Sequence, residues 1–249
     1  MTLAEKIRSL QLANHILAVV GIVYVIVTKE YHLLYGAIIT MYLMQVLGVN
    51  IGFHRYLTHR SFSTYNIVDK VLLFFGTISL VGTPLSWSIS HINHHAYTDI
   101  EGDPYSPHRI KSWDYLMTRF EPIKHSRLGM RQMTQNKSCM FFHNHYLTVI
   151  GVYCILLFLI NPLYVIYYWS IPSLLVLYLT LVTNIMCHTK GYRNYDTKDC
   201  STNNTLISVL TMGEGYHNNH HNDPSNYNNR VRWFELDITA LVIRMIKNG

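Results

Sequence analysis

The sequence predicts an all-α integral membrane protein, in which four transmembrane helices carry a helical cap with a histidine-rich site for two metal ions. Three observations predict it. Only 14% of the 249 residues are charged and 49% are hydrophobic, against roughly 25% charged in an average soluble protein, so the chain is short of solvated surface. Four apolar runs approach the ~20 residues that a helix needs to cross hydrocarbon. Finally, the pattern HxxHH occurs twice, as His91-Ile92-Asn93-His94-His95 and as His217-Asn218-Asn219-His220-His221.

After a polar start with Glu5, Lys6 and Arg8, the run 10–28 is apolar. It has no small-residue cleavage site, so it is expected to be a span and not a removed signal segment. Lys29 and Glu30 form a polar turn, and the second span, 31–53, ends directly on His54. The run 68–89 is hydrophobic too, yet Asp69 and Lys70 open it and Gly76, Gly82 and Pro84 interrupt it. A single crossing there would put His54 and His59 across the bilayer from His91, His94 and His95. It is therefore expected to lie in the interface or to dip without crossing.

From 96 to 140 the chain is polar and basic, with turn signals at Gly102-Asp103-Pro104 and Ser106-Pro107, and reads as a long loop with short helices. The third and fourth spans are 141–160 and 163–187, joined by an Asn161-Pro162 turn; the fourth returns Asn184 and His188 to the starting side. The asparagine-rich remainder carries the second HxxHH and an amphipathic stretch, 233–246. One domain is expected over 1–249, its cap built from 54–140 and 188–249. In this topology only Lys29, of 20 Lys and Arg residues, falls in a loop on the far side. The positive-inside rule then makes the chain multi-pass with its histidines on the cytoplasmic side.

The net charge of +6 is scattered between apolar runs and not gathered with stacking aromatics, so no nucleic-acid partner is expected, and membrane lipid is. Cys139, Cys154, Cys187 and Cys200 show no CxxC spacing, which argues against a disulfide scaffold or a thiolate metal site.

Nine histidines are candidate ligands: His54, His59, His91, His94, His95, His188, His217, His220 and His221. They are too many for one ion and about right for two. The others (His15, His32, His108, His125, His143 and His145) stand singly and read as ordinary polar residues. On a helix His91 and His95 lie about 40° apart, with His94 about 60° to the other side. His54 and His59 project about 140° apart on an ideal helix, so they need a break in it or serve different ions.

Asn184, one turn before His188, either holds a metal-bound water or caps the span. Asp99 and Asp103 are either anchors for ligand N–H groups or solvated loop residues. Imidazole suits iron, zinc and copper alike. Nine neutral nitrogen donors with open positions and no thiolates fit dioxygen activation better than a closed zinc site. At a membrane surface, the substrate within reach is a long apolar chain.

Three segments together, His54-Arg55-Tyr56-Leu57-Thr58-His59-Arg60-Ser61-Phe62, His91 to His95 followed by Asp99 and Asp103-Pro104, and Gly213-Glu214-Gly215-Tyr216 before His217 to His221, resemble the integral-membrane fatty acid desaturases of the Δ9 acyl-CoA/acyl-lipid, stearoyl-CoA desaturase-like type. The likeness runs from about 48 to 244. It implies two irons held by the nine histidines, with Asn184 acting through water, and an acyl chain in a tunnel lined by Trp87. It also implies that dioxygen and two electrons introduce a cis double bond into a saturated chain carried on CoA or lipid. Ile89-Ser90 stands where animal acyl-CoA members carry Arg-Asp, and the Asn218-Asn219 filling resembles the bacterial and plant branch.

Arg109, Lys111, Lys124, Arg127 and Arg131 are candidates for binding a phosphate-bearing headgroup, or are loop charges near anionic lipid. The sequence has no haem-binding His-Pro-Gly-Gly segment and no ferredoxin-like cysteine set, so the electron donor is expected to be separate, a ferredoxin or a b-type cytochrome with its reductase. Two other readings compete: a di-iron hydroxylase of acyl or alkane chains, and a non-enzymatic metal transporter or sensor. The residues around the boxes match desaturases, and transport calls for histidines inside the spans rather than at their ends.

Overall fold

A computed structural model describes residues 2–110 and 127–248. Helix α1 (Leu3–Thr28) is opened by a capping box between Thr2 and Glu5 and closed by Lys29, whose φ of 61° leaves the helical region. Its buried positions, Asn14, Ala18, Gly21 and Val25, form one narrow stripe. Leu12, Ile16, Val19, Val20, Val23, Ile26 and Val27 are exposed on the rest of the surface, as on a helix whose solvent is lipid. Small residues in the stripe allow close approach: Asn14 Nδ2 donates to Ser170 O (3.2 Å) and Ser173 Oγ (3.0 Å).

Helix α2 (Leu33–Thr58) starts as an ordinary α-helix and is π-wound from Leu43 to Thr58. Helix α3 (Asn66–Ile78) packs along it so tightly that a Cβ on Gly48 would lie 2.5 Å from the Gly76 nitrogen. At 13 residues α3 is about 20 Å long, too short to cross ~30 Å of hydrocarbon. The chain then turns and α4 (Pro84–Tyr97) begins, with a Thr83–Ser86 capping box and Pro84 in its first turn. The run 68–89 thus forms two short helices, as the breaks at Gly76, Gly82 and Pro84 suggest.

Helix α5 (Arg127–Gln135) precedes α6 (Lys137–Asn144) and α7 (Tyr146–Ile160). The third expected span, 141–160, is not one straight helix: α6 and α7 meet at a bend of 69°. The polar triplet His143-Asn144-His145 sits at the break, and His143 Nδ1 lies 2.9 Å from Thr83 Oγ1 at the start of α4. Asn161 caps the next helix, α8 (Pro162–Cys187), by accepting from Leu163 N, and Trp169 Nε1 on it donates to Ile78 O at the end of α3 (3.0 Å).

Among the described residues, three helices (α1, α2 and α8) are long and apolar enough to cross a membrane, and the bent α6–α7 pair makes a fourth if it counts as one span. The cap ends with α9 (Thr205–Thr211), α10 (His217–Asn222) and α11 (Ile238–Ile246). Among the described residues there is no strand, only isolated antiparallel bridges such as Tyr192–Asn203 and Asn203–Tyr216.

The α2–α3 contact has no space for a side chain at Gly48, because the nearest atoms are backbone and cannot rotate away. Gly48→Val is expected to destabilise the protein by about 1–3 kcal/mol or more through overpacking. Thermal unfolding in detergent checks this: a melting temperature equal to wild type would show that the two helices separate without cost.

Candidate metal centre

The histidines meet. His54, His59, His91, His95 and His220 bring ligand nitrogens within 4.8 Å of one another, and His94, His188, His217 and His221 form a second set on the same criterion. Helix α2 supplies His54 with His59 just beyond its end, α4 supplies His91, His94 and His95, α8 ends at His188, and α10 supplies the rest. The HxxHH segments each feed both sets: His91 and His95 face one and His94 the other, while His220 faces the first and His217 and His221 the second.

For His54 and His59 the structure corrects the expectation of a helix break or of two separate ions. The π-winding of α2 closes hydrogen bonds five residues apart, as in His59 N to His54 O at 3.0 Å. Residues five apart then lie on one face, and both rings enter the same set, their centroids 4.8 Å apart.

Carboxylates hold the outer ring nitrogens. His54 Nδ1 lies 2.7 Å from Glu214 Oε2, His94 Nδ1 3.0 Å from Asp103 Oδ1, His188 Nδ1 2.9 Å from Asp99 Oδ2 and His221 Nδ1 3.0 Å from Asp199 Oδ2. Asp99 and Asp103 are therefore anchors, not solvated loop residues. With Nδ1–H donating outward, each of these rings turns the Nε2 lone pair inward. His54 Nε2 sits 3.0 Å from His220 Nε2, which is 3.0 Å from His95 Nε2, and His221 Nε2 is 3.1 Å from His217 Nε2. His59, His94 and His188 have buried Nε2 atoms with no protein partner. Imidazole–metal bonds of roughly 2.0–2.1 Å at right angles would separate neighbouring nitrogens by about 3 Å. This donor set fits a pair of metal ions.

Glu214 is itself held from behind. Arg55, buried at 1% exposure, donates to Glu214 Oε1 (2.7 and 3.1 Å), Asp237 Oδ2 (2.8 Å) and Tyr227 O (2.7 Å). Burial alone would raise the Glu214 pKa, but the Arg55 guanidinium and the hydrogen bonds from Arg55 and His54 outweigh it and bring it to about 2. Gly213 before it has φ 126°, and a Cβ there would lie 2.3 Å from Asp237 Oδ1, so this turn requires glycine.

A cavity of about 180 Å³ opens beside the first set, lined by apolar Val49, Val81, Leu177 and Leu181 together with Trp87 and His91. Trp87 stacks on His91 with ring centroids 5.0 Å apart. Asn184 also lines it and donates from Nδ2 to Tyr105 O (2.7 Å), which places it beside the cavity and not as a bare cap of α8. Arg109 is exposed, the side chain of Arg127 is not described, and Lys111 and Lys124 lie outside the described residues.

The sequence profile described as fatty acid desaturase matches residues 31–245. The chain belongs to the fatty acid desaturase family. Its members are oxygen-dependent oxidoreductases that act on fatty acyl chains. Among its relatives, the sn-1 stearoyl-lipid 9-desaturase of Anabaena variabilis is 29% identical over 205 residues, covering 81% of this chain and 75% of the relative. The acyl-CoA C20 Delta5-desaturase of Anemone leveillei is 30% identical over 212 residues (81% and 67%), and the Delta-9 desaturase-like 5 protein of Arabidopsis thaliana 31% over 215 residues (83% and 71%).

Several residues of this desaturase's centre escape the histidine pattern. Glu214 is visible only as part of the Gly-Glu-Gly segment, and Asp199 sits in a polar loop 22 positions before His221 with no local signal. Tyr105, whose hydroxyl lies 2.9 Å from His91 Nδ1, sits in the loop after α4 and belongs to no histidine pattern.

Burial first, and neighbouring imidazoles second, hold His91, His95, His217 and His220 well below the ordinary histidine pKa. Burial also lowers His221 from 6.5 to about 4, although Asp199 opposes the shift. A lowered folded-state pKa means that the unfolded chain takes up protons which the folded chain refuses. The stabilisation is thus complete above about pH 6.5 and is lost as the pH falls toward about 4. The metal-free desaturase is expected to lose thermal stability steadily across this window, with a slope of more than one proton. Melting temperatures in detergent between pH 7.5 and 4.5 test this, and a flat profile would contradict it.

Proposed function

We propose that this desaturase is a multi-pass membrane enzyme with its active site on the cytoplasmic side, and that it introduces a cis double bond at the Δ9 position of a saturated acyl chain carried on lipid or CoA. The carrying observation is that nine histidines form two sets with their inner nitrogens turned toward each other. In this reading His54, His59, His91, His95 and His220 hold one iron, and His94, His188, His217 and His221 the other, with Asn184 joining through water. The absence of thiolates and the many neutral nitrogens suit redox-active iron better than zinc. The fold is read as one domain over 1–249. Its scarcity of basic residues on the far side, where only Lys29 falls, supports the orientation.

When bound, the two irons supply the redox chemistry that reduces dioxygen. In balance, one saturated –CH2–CH2– unit, dioxygen, two electrons and two protons give –CH=CH– and two waters. The protein's part is positioning. The cavity's apolar walls receive the chain away from water, and Trp87, stacked on His91, fixes how methylenes pass the first histidine set. Because methylenes are almost alike chemically, their registration in this cavity selects the carbon. The relatives' names include both 9- and 5-desaturases; the likeness of the three histidine segments to the Δ9 type supports the former. Arg109 and Lys111 are assigned to the headgroup, and electrons to an external ferredoxin or b-type cytochrome with its reductase.

Expression in a host without its own desaturase, followed by gas chromatography with double-bond mapping, tests this directly. Wild type is expected to yield Δ9 monoenes. His94→Ala and His220→Ala are expected to reduce them to the empty-vector level with membrane insertion unchanged. New hydroxyl groups without new double bonds would instead establish the hydroxylase, and monoenes at another position would refute the Δ9 assignment. Asp103→Ala removes the outer partner of His94 and is expected to weaken iron binding by about 10–100-fold, which metal titration of the purified protein would measure.

A further inference from the structure

Helix α10 carries three of the nine histidines and, like α4, serves both sets: His220 faces the first set, His217 and His221 the second. With 6 residues it is far below the length at which a helix is stable alone. Its own N-cap, Tyr216, makes no side-chain capping bond. The first N–H groups of such a helix destabilise it if they are left without partners in a buried setting.

Asn203, in the loop between α8 and α9 and 0% exposed, supplies what Tyr216 does not. Its Oδ1 accepts from both Asn218 N (3.0 Å) and Asn219 N (3.2 Å), and its Nδ2 donates to Asn219 Oδ1 (2.8 Å). Asn219 completes the clamp. Its Oδ1 also accepts from Asn194 Nδ2 (2.8 Å), and its Nδ2 donates to Asn229 O (2.8 Å) and Glu235 Oε2 (3.0 Å). The two residues between His217 and His220 thus turn away from the histidine sets into a buried amide network. That network fixes the rotation of α10 about its axis, and so the direction of all three imidazoles.

We infer that Asn203 is a positioning residue for this reaction, capping α10 from a distant loop and aiming His217, His220 and His221 into the two sets. The role rests on the two-iron reading above. An aspartate would keep the shared acceptor but set two acceptors face to face at Asn219 Oδ1, whereas an alanine loses every bond. Asn14 provides a control: it is a buried amide at 3% exposure whose bonds join α1 to α8 at Ser170 and Ser173, well before the histidine end of α8.

The test loads the full chain with iron in membranes, purifies it in detergent and follows iron withdrawal by a chromophoric chelator. Asn203→Ala is expected to release iron at least about tenfold faster than wild type, Asn203→Asp at an intermediate rate, and Asn14→Ala at the wild-type rate. Wild-type release from Asn203→Ala, or equal acceleration in Asn14→Ala, overturns the role. Should Asn203→Ala fail to insert, Asn203→Asp against Asn14→Ala decides on the same criterion. A wild-type chain that binds no iron overturns the two-iron reading itself, which is a different failure from iron that binds and leaves every variant equally slowly.

Discussion

Everything at the centre depends on outer hydrogen bonds that hold buried imidazoles aimed inward. Inner nitrogens 3.0–3.1 Å apart are not an arrangement that apolar packing would select, because lone pairs that face each other repel. Glu214, Asp103, Asp99 and Asp199 fix the tautomer of four rings from behind, and Arg55 compensates the burial of Glu214. In Asp99 the hydrogen bond from His188 outweighs burial and lowers the carboxyl pKa to about 2, so this anchor stays ionised at any ordinary pH. The carboxylates therefore serve the histidines twice, by geometry and by charge.

The membrane part of the fold serves the same end. Two long apolar helices, α2 and α8, end beside one another and deliver His54, His59 and His188, while the short α3 returns the chain so that α4 can add three more. Glycine at position 48 lets α2 and α3 touch through backbone, which draws the start of α4 toward the end of α2. The cavity is walled by Val49 of α2 and Leu177 and Leu181 of α8, and by His54, His91 and His217.

Much of this was legible in the sequence because helical periodicity and hydropathy are local signals. His91, His94 and His95 share a face by spacing alone, and the low charge content with four apolar runs marks the spans. The helix-breaking residues Gly82 and Pro84 coincide with the division of 68–89 into two short helices. The failures have physical causes as well. On α-helical spacing His54 and His59 need a helix break or serve different ions, whereas a π-wound helix brings residues five apart onto one face. The third span bends by 69° at polar residues inside an otherwise apolar run. Asp199 and Asn203 carry no local pattern at all, since their partners lie 22 and 15–16 residues away on another element.

The central claim, that the two histidine sets hold a pair of irons, is tested most directly by counting metals on protein isolated from membranes in which its desaturation has been measured. Elemental analysis of that preparation by mass spectrometry is expected to give two irons per chain, with activity rising in proportion to iron. Full activity in chains that hold zinc, or no more than one iron, would contradict it.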